Sequence, residues 1–196
     1  TYETMSEDEL TKLISETNAQ VQKLEQRKNE LSSQLNALKD TADKNEKAAE
    51  IAKQNAQTNG ILSGRLAATG EGVVIRISQG SKQKIDSAIL FTLLEELRNS
   101  GAEVIEINNV RVVTSTYISG TAGSLVCDGT KLKSPFTIRA IGDSDNLQNA
   151  VNLAGGVGSR LKVKYGATVS VSPSDKVMIK STRQAPQYTY AHVIGQ

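Results

Sequence analysis

Hydrophobic and polar positions follow a period of 3.5 residues through the first third of the chain. The seam positions lie four and three residues apart: Leu10, Ile14, Thr17, Val21, Leu24, Lys28, Leu31, Leu35 and Leu38, followed by Ala42, Asn45, Ala49, Ala52 and Ala56. This period keeps one side of a helix turned toward a partner helix. We therefore predict a coiled-coil stalk over residues 1–59 that joins copies of the chain into a homo-oligomer.

The ends and the middle of this stalk carry further signals. Ser6 and Glu9 match a capping box, so the helix should begin near residue 6. Lys28 and Asn45 place polar groups in the seam, which costs stability and fixes register and strand number, or marks where the helix packs on another element. Asn59–Gly60 predicts the helix stop, and further glycines make 60–72 a flexible joint.

The pattern changes to short strands and helices after this joint, over residues 73–180. It predicts a strand at 73–77, a helix at 86–100, hairpins turning at Asn108–Asn109 and Asp128–Gly129, a strand at 136–141, two short helices from Asp143 or Ser144 to Tyr165, and short strands at 169–171 and 177–179. This order is typical of an α+β fold, a ferredoxin-like sandwich with a mostly antiparallel sheet and its helices on one face. Residues 181–196 read as a polar tail.

Charge divides the 196-residue chain in the same place. Residues 1–59 have a net charge of −3 and the rest +5, giving +2 in total. The basic residues near the C-terminus suit nucleic acid, anionic lipid or an acidic polymer, or are solvated surface groups. The low total charge argues against nucleic acid.

Candidate chemistry is sparse. Cys127 is the single cysteine and the single histidine, His192, lies in the tail, so a disulfide, a cysteine metal site and a histidine-assisted nucleophile are all disfavoured. We expect no catalytic residues, no metal and no cofactor, and we interpret the chain as a protein that is not an enzyme.

Five residues remain as candidate anion or partner contacts. Arg111 and Arg139 lie inside predicted strands; if both face one side of the sheet they form such a contact, and otherwise they protect its edges. Gly155 and Gly156, followed by Arg160, are a poor match to a phosphate loop and indicate either a helix-breaking turn or an anion site.

Three segments resemble one bacterial family. Residues 97–111 (LRNSGAEVIEINNVR), residues 134–143 (SPFTIRAIGD) and the Gly155–Gly156 segment look like the signature of the YlxW/YlxX-type family of bacterial membrane-anchored proteins with a domain of unknown function. The resemblance covers about residues 60–180, and Asn109 stands where the family has a turn glycine. It implies single-pass membrane proteins of Gram-positive bacteria whose soluble part lies outside the cytoplasm, some encoded beside cell-division genes, with no established catalytic residues.

These observations lead to one functional expectation and one alternative. We expect an extracytoplasmic assembly module of the envelope that contacts envelope or division proteins, with its membrane anchor upstream of Thr1, because the sequence has no initiator Met and no apolar run of the roughly 20 residues that span a bilayer. The alternative is a domain that senses a small molecule or anion, supported by fold analogy.

Overall fold

The computed structural model describes residues 6–195. Residues 1–5 of the predicted stalk and Gln196 of the predicted tail lie outside the described residues. The chain divides into two compact units, one ending at Asn55 and one beginning at Ala56. It is a mixed α+β protein with a long N-terminal helix and antiparallel sheets, as expected from the sequence.

Twelve elements make up the described chain. In order they are α1 (Glu7–Leu62), β1 (Ala68–Ser78), α2 (Ser87–Asn99), β2 (Val104–Ile107), β3 (Val110–Val112), β4 (Ile118–Thr121), β5 (Ser124–Cys127), β6 (Thr130–Leu132), β7 (Phe136–Ile141), α3 (Ser144–Asn152), α4 (Val157–Val163) and β8 (Thr168–Ile179). Most of the predicted elements lie within one or two residues of these bounds. The pattern did not predict β4, the first strand of a small β4-β5-β6 sheet.

The capping box at the start of α1 is confirmed. The backbone N–H of Ser6 donates to Oε2 of Glu9 at 3.0 Å, and the backbone N–H of Glu9 donates to Oγ of Ser6 at 3.4 Å. These two bonds satisfy N–H groups that the first turn leaves without an intrahelical acceptor.

The end of α1 differs from the prediction, because the helix continues through Asn59–Gly60 to Leu62. The stop is instead Gly64, which has φ +76°. The N–H of Gly64 donates to the carbonyl of Ile61 and that of Arg65 to the carbonyl of Gly60, the bond pattern of a Schellman motif. Residues 60–72, predicted as a flexible joint, therefore contain the last turn of a helix and the first residues of β1.

Five strands form the main sheet in the order β3-β2-β7-β1-β8, with every neighbouring pair antiparallel. Helices α2, α3 and α4 cover one face, where alternate strand residues such as Val73, Ile75 and Ile138 meet Leu90 and Leu161 in the main core. Asp86 and Asp143 cap α2 and α3, accepting hydrogen bonds from the N–H groups of Ile89 and Asn146.

The other face of the sheet has a smaller core of its own. It contains Val104 and Ile141 from the sheet and Val177 and Ile179 from the last residues of β8. Because β8 is not a sheet neighbour of β2 or β7, this contact requires the end of β8 to lie over that face. The β1–β8 register shifts between Gly70 and Gly72, because β8 has one residue more than β1 between Ser174 and Val177. A bulge of this kind bends the strand that carries it.

Strand β8 is also longer than predicted, since Thr168–Ile179 is one strand rather than two short ones. Pro173 lies within it, opposite Val73. A proline removes a ladder N–H and is tolerated in an edge strand, which is the position of β8. The two predicted hairpin turns are confirmed: Asn108, Asn109, Asp128 and Gly129 all have positive φ, as type I′ turns require.

Candidate functional site

A row of charged residues crosses the sheet on the face opposite the helices. Glu106 on β2 is paired with Arg111 on β3 and with Arg139 on β7. Residues directly opposite each other on neighbouring strands share a face. The two arginines that the sequence singled out are therefore on one side of the sheet, with a carboxylate between them.

Arg111 is an interior residue, only 2% exposed. Its Nη1 donates to the carbonyls of Leu66 and Ser181 at 2.9 and 3.1 Å, and its Nη2 donates to that of Ile61 at 2.9 Å. Burial lowers the pKa of the Arg111 guanidinium, while the charge of Glu106 acts to raise it. The structure thus gives Arg111 a structural role and leaves the surface contacts of this face to other residues.

Glu106 and Arg139 form an ion pair, with Arg139 Nη1 3.1 Å from Glu106 Oε2. The Glu106 side chain is 4% exposed, whereas that of Arg139 is 35% exposed. The buried Glu106 carboxylate therefore orients the Arg139 guanidinium, and the part of the guanidinium that does not contact Glu106 is exposed to solvent.

This ion pair lies on the floor of a groove with a volume of about 410 Å³. Val74 completes the floor, and the overlying end of β8 supplies a wall that includes Lys176, Met178 and Lys180. Asn109, from the β2–β3 turn, lines it as well. The groove lies where the end of β8, beyond the bulge in that strand, covers part of this face, so Lys176 and Lys180 line the same groove as the Glu106–Arg139 pair.

Gly155, Gly156 and Arg160 belong to another part of the second unit. Gly155 has φ +74° and Gly156 is the N-cap of α4, and both helices next to this turn pack on the helical face of the sheet. The pair therefore forms a helix-breaking turn, and the structure does not bring it together with Arg111 or Arg139. Arg160 is exposed on α4.

The predicted coiled-coil seam lies on a helix whose side chains are mostly exposed in the single chain. Ile14, Val21, Leu24, Leu31, Leu35 and Leu38 are all exposed, as is Lys28, and Leu10 is half-buried. The seam residues are thus available for contact with a partner helix.

Reactive side chains are few in the described chain. Cys127 is fully buried, and its burial, together with nearby Asp128, raises the pKa of the thiol to about 11. Across residues 6–195, no three His, Cys, Asp or Glu side chains are grouped as a metal site would require. No helix in the same range is long and apolar enough to cross a bilayer.

The sequence pattern does not identify Glu106, Lys176 and Lys180 as neighbours of Arg139. A signal for Glu106 was present, because a two-residue turn at Asn108–Asn109 places residue 106 opposite residue 111. No local pattern indicates that β8 bends over the sheet, so the lysines could not be placed.

Comparison with known proteins gives a consistent result. Residues 55–192 match the family model described as "Bacterial protein of unknown function (DUF881)". The chain is 34% identical over 169 residues to the UPF0749 protein Rv1825 of Mycobacterium tuberculosis, covering 84% of this chain and 57% of that protein. It is 30% identical over 126 residues to the UPF0749 protein YlxW of Bacillus subtilis, covering 60% of this chain and 54% of YlxW.

A solved structure also matches. The crystal structure of an uncharacterized conserved protein from Mycobacterium tuberculosis has a TM-score of 0.64 and 35% sequence identity to this chain, covering 71% of this chain and 99% of that one. The chain spans only a little more than half the length of the two named relatives. The match to YlxW confirms the resemblance found in the sequence. The chain belongs to the DUF881 family of bacterial proteins of unknown function.

Proposed function

We propose that this chain is a non-enzymatic assembly and interaction module of the bacterial envelope, which self-associates through α1. The observation that carries the proposal is the exposed seam. Leu24 and Leu38, on one side of a 56-residue helix, are 69% and 68% exposed in the single chain. Pairing of the seams would remove this apolar surface from water.

The energetic case rests on the N-terminal half of the seam. Complete burial of a Leu or Ile side chain contributes about 1.5–3 kcal/mol, and six large apolar residues lie in the seam between Ile14 and Leu38. Beyond Leu38 the seam consists of alanines and Asn45, which bury little area. Association should therefore be strongest over residues 10–38, with Lys28 restricting the number and register of the strands.

For the second unit we propose a ferredoxin-like classification. Its support is the strand order β2-β7-β1-β8, which a β1-α2-β2 unit and a β7-α3-α4-β8 unit would give when interleaved, with the helices on one face. In this description β3 is an added edge strand and the β4-β5-β6 sheet is an insertion.

The proposed location is the outer side of the cell membrane, with a single anchoring helix N-terminal to the stalk. Its support is the resemblance to the YlxW/YlxX-type family and the match to YlxW. The proposed partners, besides further copies of the chain, are envelope or division proteins. A protease-accessibility assay on the complete gene product, in cells stripped of their wall, tests this location: protection of the folded part would overturn it.

The non-enzymatic part of the proposal is supported by the positions of two reactive residues. Cys127 is buried with a raised pKa, and His192 lies in an exposed segment after β8. Neither residue lines the groove described above.

Light scattering coupled to size exclusion tests the self-association directly. We expect the chain to be oligomeric at micromolar concentration and the Leu24→Glu/Leu31→Glu variant to be monomeric, because two charges in the seam cannot be buried without a partner. The matched control is Gln26→Glu/Ser33→Glu, which adds the same groups on the opposite side of α1 and should leave the mass unchanged. A monomeric parent chain, or equal masses for the two variants, would overturn the proposal.

A further inference from the structure

The groove on the face of the sheet opposite the helices has more cationic than anionic side chains in its lining. Arg139, Lys176 and Lys180 line it, and Glu106 is its one carboxylate. In the described chain the ion pairs are Arg98–Glu95, Arg139–Glu106 and Arg183–Asp128. Glu106 is thus matched by Arg139, and within that same range Lys176 and Lys180 have no acidic partner.

The Glu106–Arg139 ion pair uses only one guanidinium nitrogen, so the other N–H groups of Arg139 remain available to a ligand. Glu106 is buried and receives only Nη1 of Arg139. A guanidinium carries five N–H donors in a planar fork that fits the oxygens of a phosphate or carboxylate. The hydrogen bond from Nη1 to Glu106 fixes the orientation of the Arg139 guanidinium, which lowers the entropy cost of binding a second anion.

Apolar surface lies beside these cations. Val74 is on the floor next to Arg139, and Met178 is in the wall and half-exposed, whereas Val177 is buried in the smaller core behind it. A groove with an apolar side and a few convergent polar groups is the usual form of a small-molecule site. The volume of about 410 Å³ is within the range of such sites.

We propose that this groove binds a phosphate monoester carried on a small apolar group. The net charge of two from Lys176 and Lys180 balances the charge of about −1.5 to −2 that a phosphate monoester has at neutral pH. Arg139 supplies the bidentate contact, the lysines supply point charges, and Asn109 offers an amide at the same groove. This site excludes Arg111, Gly155, Gly156 and Arg160, and it does not depend on assembly through α1.

The test is isothermal titration of the full chain with phenyl phosphate, inorganic phosphate and benzyl alcohol. We expect phenyl phosphate to bind, inorganic phosphate to bind about tenfold more weakly because it lacks the apolar group, and benzyl alcohol not to bind. Added salt should weaken the binding.

Substitutions inside and outside the groove distinguish binding at this site from non-specific electrostatic attraction to the protein surface. Lys176→Gln/Lys180→Gln should weaken phenyl phosphate binding at least about tenfold, and both side chains are exposed, so the fold should be kept. The matched control, Lys131→Gln/Lys162→Gln, removes two exposed lysines outside the groove and should leave the affinity unchanged. Arg139→Lys keeps the charge opposite Glu106 and should weaken binding by losing the fork.

The proposal is overturned if phenyl phosphate gives no heat at millimolar concentration. It is equally overturned if the two double-lysine variants lose affinity by the same factor, because the attraction would then be a property of the whole surface. Equal affinities for phenyl phosphate and inorganic phosphate would remove the apolar group from the proposal and overturn the ligand class stated here.

Discussion

The Nη2 atom of Arg111 lies 2.9 Å from the carbonyl oxygen of Ile61, fifty residues earlier in the chain. This bond joins an edge strand of the sheet to the last turn of α1, whose final carbonyls have no intrahelical donor. Through Nη1 the same guanidinium also holds Leu66 and Ser181. One side chain thus connects three separate backbone segments within the second unit.

Replacing Arg111 should therefore destabilise that unit. Arg111→Met removes the donor for three carbonyls and one of the two cations beside buried Glu106, and we expect a loss of about 3 kcal/mol in the free energy of unfolding. Urea unfolding followed by tyrosine fluorescence measures it. Arg76→Met, at an exposed arginine of β1, is the control and should cost less than about 0.5 kcal/mol. A loss below about 1 kcal/mol for Arg111→Met would contradict the structural role.

The glycine that ends α1 gives a second prediction. Gly64 has φ +76°, and a Cβ there would lie 2.7 Å from Cγ1 of Val113. Gly101 also has positive φ, +92°, but a Cβ there would have no atom within 4 Å. We expect Gly101→Ala to cost about 1 kcal/mol from backbone strain alone, and Gly64→Ala to cost about 1 kcal/mol more because the side chain of Val113 must also move. Equal losses in thermal unfolding would show that the space around Gly64 adapts freely.

Alkaline pH should weaken the fold through Tyr165. Its buried hydroxyl donates to Oδ2 of Asp86 at 2.8 Å, and burial and this hydrogen bond raise its pKa from 10.0 to about 12. The fold thus favours the protonated phenol, so its contribution is complete below about pH 10 and is lost as the pH approaches 12.

Tyr165→Phe isolates that contribution. At neutral pH the variant should be about 1 kcal/mol less stable than the parent chain, because the hydrogen bond is missing. Urea titrations between pH 9 and about 12 should show this difference shrinking as the parent phenol ionises. A difference that stays constant over this range would rule out the raised pKa.

A substitution at Lys28 tests the predicted seam by adding an apolar residue to it. Lys28→Leu should raise the melting temperature of the stalk, because a polar residue in the seam costs stability, and it should also release the restriction on strand number. Lys23→Leu places the same change outside the seam and should have little effect. Melting followed by circular dichroism, with the mass measured in parallel, checks both. Unaltered melting and mass for Lys28→Leu would show that position 28 does not face a partner helix.

Most of the fold could be predicted because its signals are local. The capping pair Ser6–Glu9 and the turn at Asn108–Asn109 each act within a few residues, and the structure places both as expected. Of the two candidate starts for α3, Asp143 and Ser144, the structure uses Asp143 as the cap. The sequence also indicates Arg139 as a candidate contact for a local reason, since a charge inside a strand must be paired or exposed.

The remaining features depend on contacts distant in sequence. Gly60 stays helical and buried in α1 because the chain folds back and Leu66 occupies the space beside it. Arg111 is interior because residues 61, 66 and 181 come together around it. The groove requires the end of β8 to lie over the sheet, and the bulge that accompanies this bend is defined by the pairing of β8 with β1, which are far apart in the sequence.

Pro173 has a consequence for the proposed assembly. A stalk that gathers several copies raises the local concentration of every sheet edge they carry, and β8 is a twelve-residue edge strand. Unprotected edges at high concentration pair with one another and lead to aggregation. Pro173 removes a backbone donor in the middle of that edge, and Lys176 and Lys180 add like charges along it. In oligomers of this kind, edge-to-edge pairing through β8 would therefore be interrupted at the centre of the strand.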